Sequence, residues 1–130
     1  MIQSATILEI GVTDIAAARS FYCDLLGLTV ETEDYLPNVL VLQFERPGPS
    51  LVLYQVETPA AIDYPRQAQS LFMFEVEDLD STIRTLAEAG VELLHDEPQT
   101  IAPGRYVAIR DPFGNVHELI ERSEQEPSGL

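Results

Sequence analysis

The chemistry available to this chain centres on Glu118, in the stretch 110–121, which joins a dense turn signal to a β-rich segment. On a strand over 116–121, Val116, Glu118 and Ile120 share one face, while His117, Leu119 and Glu121 share the other. A carboxylate among aliphatic neighbours must be solvated, paired, hydrogen-bonded or protonated. It can therefore receive a cation or a hydrogen-bond donor, or serve as a general base if burial raises its pKa. Glu9 and Glu75 fall on two further predicted strands, where they either line a pocket or act as ordinary exposed or paired residues. His117 neighbours Glu118 and so points the opposite way, and His95 has no metal-ligand spacing. Both histidines read as surface or core polar residues. The lone Cys23 excludes an intrachain disulfide and a multi-cysteine metal site, and its place in a predicted helix makes it a packed or half-exposed thiol. Ser4, Ser20, Ser50, Ser70 and Ser81 lack nucleophile-elbow glycines, and no glycine-rich loop precedes a helix. Asp80 and Ser81 belong to a helix N-terminus, where they cap it or complement its dipole.

The elements that must position these groups repeat. Asp111-Pro112-Phe113-Gly114-Asn115 predicts a hairpin between strands over 105–110 and 116–121, because Pro fixes φ, Gly allows positive φ, and Asp and Asn bond their own backbone. Residues 5–12 alternate as a strand, Asp14 is a helix N-cap, and Ile15, Ala18, Tyr22, Leu25 and Leu26 mark one helix face up to Gly27. Strands follow over 28–33, 39–45 and 51–56. The pattern then restarts, with a strand over 71–76, a cap at Asp78, and a helix carrying Leu79, Ile83, Leu86 and Ala87 that stops at Gly90. Strands over 91–95, 106–110 and 116–121 complete it. Val12-Thr13-Asp14-Ile15 matches Val76-Glu77-Asp78-Leu79, and Leu26-Gly27-Leu28 matches Ala89-Gly90-Val91.

The fold class is therefore α+β, with two βαβββ modules: module one over 5–57, a link over 58–69, module two over 70–122, and an acidic tail over 123–130. A four-stranded sheet with one helix covers only one of its faces. The expectation is a curved mixed sheet around a central cleft, with helices outside. Leu8, Ile10, Val12, Phe72, Phe74 and Val76 face the helices. The opposite parity, including Ile7, Glu9, Val52, Tyr54, Met73, Glu75, Glu118 and Ile120, lines the cleft.

Composition narrows the partners. Acidic residues number 22 against 7 basic, a formal charge of −15, which disfavours nucleic acid and anionic membranes and mildly favours a cationic or neutral ligand. A hydrophobic content of 45% suffices for a core. The absence of a leader pattern or a long apolar run leads to the expectation of a soluble, cytoplasmic protein.

The motifs Val12-Thr13-Asp14-Ile15, Ser20-Phe21-Tyr22, Leu25-Leu26-Gly27-Leu28, Val76-Glu77-Asp78-Leu79 and Asp111-Pro112-Phe113-Gly114-Asn115 leading to Glu118 resemble the vicinal oxygen chelate superfamily of glyoxalases, bleomycin-resistance proteins and extradiol dioxygenases. The likeness covers residues 5–122. It implies four metal-ligand points, on the first and fourth strands of each module. These map to Ile7, Leu71, Val52 (or Leu53 if the turn is aligned one residue differently) and Glu118. Three aliphatic side chains cannot replace the water around a divalent ion, so no metal and no cofactor are expected. The resemblance then implies a homodimer binding a small organic ligand, with antibiotic sequestration as one form. Glu9, Glu75 and Glu118 would supply polar contacts, and Val52, Tyr54, Met73 and Tyr106 apolar area. One rival is a glyoxalase-like isomerase, lyase or dioxygenase with an unconventional metal site or with Glu118 as catalytic base. Another is a regulatory interaction module whose surface matters more than its cleft.

Overall fold

A computed structural model describes residues 1–66 and 70–123. The end of the predicted link, 67–69, and the acidic tail from 124 on lie outside the described residues. Contacts group the chain into two units, Met1–Ala60 and Ala61–Leu130.

The first unit runs β1 (Ile7–Val12), α1 (Ile15–Arg19), β2 (Thr29–Thr32), β3 (Val39–Gln43) and β4 (Ser50–Gln55), and its four strands form a mixed sheet of order β1-β4-β3-β2. The first strand lies parallel to the last, and the other pairs are antiparallel. The Asp14 side chain accepts from the Ala17 N–H at 3.0 Å and so starts α1. After Arg19 the helix widens into a π-helical segment, Ser20–Leu25, which the apolar spacing does not distinguish from an α-helix. Gly27, at φ 84, ends it. Five α-helical residues have too little intrinsic stability to persist alone. Packing supplies the rest: Ile15, Ala18, Phe21 and Tyr22 are buried, as are Ile10, Val12, Leu40, Leu42, Leu51 and Leu53 of the sheet. Each such large side chain stabilises by about 1.5–3 kcal/mol. The opposite parity of β1 and β4 is more open, with Ile7 58% and Tyr54 40% exposed.

The second unit has β5 (Phe72–Glu75), α2 (Leu79–Glu88), β6 (Glu92–Leu93), β7 (Gln99–Ile101), β8 (Gly104–Arg110) and β9 (Val116–Arg122). The order is β5-β9-β8-β6, with β7 also on β8 and β5 parallel to β9. The module pattern therefore holds with one addition, β7, a three-residue strand between Pro98 and Pro103 that is too short for an alternation signal. Both β6 and β7 pair with β8, at opposite ends of it. The predicted strand over 91–95 is cut short for a visible reason. The Leu94 N–H still donates to the Ala108 carbonyl at 2.8 Å, but the Ala108 N–H donates to the His95 Nδ1 at 3.1 Å, so an imidazole takes the next rung of the ladder.

Asp78 caps α2 through the Ser81 N–H at 3.1 Å, and Glu121 of β9 accepts from the Leu79 N–H at 2.9 Å, docking the helix start on the sheet. The hairpin is built on Asp111, whose buried carboxylate accepts from the Phe113 N–H (2.9 Å), the Asn115 N–H (2.8 Å) and the Asn115 side-chain amide (3.0 Å). At Gly104 a side chain would collide with the Glu121 carbonyl, so the start of β8 requires glycine.

Candidate functional site

Strand register places the carboxylates. In the second unit Glu118 stands between Met73 of β5 and Ala108 of β8, and Tyr106 pairs with Ile120, which pairs with Glu75. Cross-strand partners share a face, so Met73, Glu75, Tyr106, Ala108 and Glu118 lie on one side of this sheet, with Arg110 in the same parity. In the first unit Glu9 is paired directly with Val52, and Gly11 with Tyr54. Sequence reasoning thus places Glu9, Val52 and Tyr54 on one sheet face, and Met73, Glu75, Tyr106 and Glu118 on the corresponding face of the other sheet.

Glu118 is half-buried, and its Oε2 accepts a hydrogen bond from the Tyr64 hydroxyl at 2.7 Å. The short distance fits a phenol donating to an ionised carboxylate. Tyr64 comes from the segment read as a link, which the second unit holds by a further bond, from the Arg110 guanidinium to the Ile62 carbonyl at 3.0 Å. Arg110 also reaches Glu92 at 3.2 Å. Burial, chiefly, and then the hydrogen bond and charge of Glu118 push the Tyr64 phenol well above the ordinary tyrosine range, so it remains a donor.

An imidazole completes the cluster. His95 meets Tyr64 edge to face with centroids 5.6 Å apart, and meets Tyr106 in the same way at 5.5 Å. Because its Nδ1 accepts from the Ala108 N–H, the ring hydrogen sits on Nε2 and the ring plane is fixed. His117 is different. It lies in the core, 4.9 Å from the Phe74 ring and stacked on Phe72 at 6.2 Å, and burial lowers its pKa to about 4 against a smaller opposing effect of Asp111.

Sequence reasoning missed Tyr64, His95 and Arg110 as site residues. Strand parity alone places Arg110 on the face of Glu118, because 106, 108 and 110 alternate with the helix-facing positions. Nothing local marks Tyr64, whose partner is 54 residues away.

The metal-ligand points implied by the resemblance do not fit an ion. Register makes Val52, rather than Leu53, the counterpart of Glu118, and Ile7, Val52 and Leu71 offer no donor atom. Among the described residues no group of three or more His, Cys, Asp or Glu side chains is placed to hold one. No helix among them is long and apolar enough to cross a membrane.

A family model, the Glyoxalase/Bleomycin resistance protein/Dioxygenase superfamily, matches residues 4–119. Among solved structures the chain is similar to TnmS3, an antibiotic binding protein from a Streptomyces species, with 25% identity, TM-score 0.70, and coverage of 94% of this chain and 98% of that one. A member of the same superfamily from Sphaerobacter thermophilus is also 25% identical, with TM-score 0.72 and coverage of 94% and 99%. The fosfomycin resistance protein FosX from Listeria monocytogenes shares the fold at TM-score 0.77 and 15% identity, over 97% of this chain and 96% of that one. No curated protein matches the chain significantly in sequence.

Proposed function

The chain belongs to the Glyoxalase/Bleomycin resistance protein/Dioxygenase superfamily, and from that premise we propose that it binds a small organic molecule without a metal ion, with antibiotic sequestration as the specific form. The observation that carries this reading is the state of the four implied ligand points. Three are aliphatic, and the fourth, Glu118, is engaged by a phenol at 2.7 Å. A carboxylate met by a neutral donor, with aromatic rings and Met73 beside it, is the composition of an organic-ligand site rather than of an ion cage. The likeness to an antibiotic binding protein at 25% identity supports the same direction.

In this reading Glu118 is the polar anchor, Met73 and Tyr106 supply apolar area, and Glu75 is a second carboxylate on the same sheet face, while Glu9, Val52 and Tyr54 are the ligand-binding candidates of the first unit's own sheet. The exposed Ile7, Tyr54 and Met73 support a homodimer that covers them. Light scattering at the monomer mass up to millimolar concentration would remove the dimer from the proposal.

The test of the central claim is a thermal-shift screen of antibiotics and other small organic compounds against metal-stripped protein, since a ligand selective for the native state raises its melting temperature. Saturable stabilisation unaffected by chelator is the expected result. Stabilisation that appears only with a stoichiometric transition metal would overturn it.

A further inference from the structure

We propose that Glu118 and the His95 ring, against which Tyr106 packs, form a subsite for a hydroxylated aromatic ring, which the chain fills with its own Tyr64 until a ligand ring takes that place. This deepens the reading above and rests on it, by naming the chemical class that the site takes.

The argument begins with what holds Tyr64. Its hydroxyl donates to Glu118 Oε2 at 2.7 Å, and its ring lies edge to face with His95 at 87°. Both contacts are made by the side chain alone. A free phenol can reproduce each of them, because neither needs the tyrosine backbone. The segment that carries Tyr64 is tied down separately, by the Arg110 guanidinium on the Ile62 carbonyl at 3.0 Å. The ring can therefore leave while its segment stays attached to the sheet.

The surroundings are set in advance. The Ala108 N–H fixes the imidazole plane through Nδ1, and Tyr106 stands at 90° to that plane with ring centroids 5.5 Å apart. A ring entering the place of Tyr64 thus meets an ordered imidazole edge and a carboxylate that can only accept. That carboxylate selects a ring bearing an O–H or N–H. It gives nothing to an ether, and it repels a carboxylate or phosphate, as does a chain with a formal charge of −15.

A tethered occupant competes strongly. A group held by a short connection has an effective concentration on the order of millimolar. A free phenol must therefore bind the native chain more weakly than it binds a chain whose Tyr64 side chain is gone.

The experiment uses the whole chain and p-cresol, the tyrosine side chain as a free molecule, with toluene as the same ring lacking the donor. Tyr64→Ala should bind p-cresol about tenfold or more tightly than wild type does, and at least about fivefold more tightly than it binds toluene. In Tyr64→Ala/Glu118→Leu the preference for p-cresol over toluene should vanish. If Tyr64→Ala does not fold, the measurement moves to wild type by NMR. There, p-cresol should shift the His95 ring signals and release Tyr64, leaving those of His117 in place. Equal binding of p-cresol and toluene to Tyr64→Ala, or no perturbation of His95 in wild type, overturns the subsite. Screening of wild type judges the broader function separately. A compound without a hydroxyl or amine that binds there, with no p-cresol preference in Tyr64→Ala, sinks the subsite and leaves small-molecule binding standing.

Discussion

Val52 and Glu118 occupy the same register position in the two units: Val52 pairs with Glu9 across β4 and β1, and Glu118 pairs with Met73 across β9 and β5. The carboxylate has changed strands between the copies, from the first strand of one module to the last strand of the other. Each unit keeps one acidic and one apolar member at this rung. The repeated backbone thus presents two different polar positions, and the Tyr64 hydroxyl is bonded to the second.

Glu118→Gln should lower the titration of Tyr64 toward that of an ordinary phenol, since it removes the charge that disfavours the tyrosinate, while burial keeps part of the upward shift. A tyrosine pKa raised on folding contributes stability that is present below about pH 10 and is lost as pH rises beyond it. Ultraviolet titration of wild type against Tyr64→Phe should therefore assign a late tyrosinate to Tyr64, and that difference should move to lower pH in the Glu118→Gln background. The same Glu118→Gln change should weaken a cationic ligand of the site more than a neutral one of similar shape.

Stability should fall as pH drops from about 6.5 toward 4, because His117 has its pKa lowered to about 4 inside the Phe72 and Phe74 cluster, so the unfolded chain takes up the proton first. The contribution is full above the unfolded value and is lost through that window, with a slope of up to about 1.4 kcal/mol per pH unit. Asp111, which opposes the shift, reduces it. Urea midpoints at neutral pH and near the lower end of the window, compared between wild type and His117→Leu, check this: the variant should have the flatter profile.

Asp111→Ala should destabilise the second unit by roughly 2–4 kcal/mol, since the Phe113 and Asn115 N–H groups lose their acceptor in a buried turn. Asp111→Asn, which keeps one acceptor oxygen, should cost less. Chemical denaturation of both variants gives the ordering, and equal losses would show that charge rather than turn geometry dominates.

For Glu121→Ala the expected loss is about 1 kcal/mol, close to that of a helix cap, because the Leu79 N–H at the start of α2 loses its acceptor. The Arg105 contact at 3.7 Å, partly exposed, adds little. Hydrogen exchange should show earlier opening in the first turn of α2 than in β8.

Features fixed by neighbours in sequence were legible. The caps at Asp14 and Asp78, the Asp111 turn, and the parity that buries Ile10 and Val12 while exposing Ile7 all follow from local spacing. The π-helical segment at Ser20–Leu25 was not, because its apolar positions suit either helix. Nor was the end of β6, where a side-chain nitrogen replaces a backbone acceptor. The site was half legible. Strand alternation puts Glu118 with Met73 and Tyr106, but the bond from Tyr64 depends on where a proline-rich segment returns to the sheet, and no periodicity encodes that.

The parallel pairing of each unit's first strand with its last also sets a schedule for the chain as it is made. During synthesis β1 waits without its neighbour until Gln55 has been added, and β5 waits until β9 is complete at Arg122. Hairpins such as β8 with β9 close within microseconds of becoming available, whereas a nascent chain lengthens by only about 5–20 residues each second. The ribosome's pace, rather than the search for partners, therefore decides when β1 and β5 first gain a neighbouring strand. The first unit reaches that point while most of the second is still unmade.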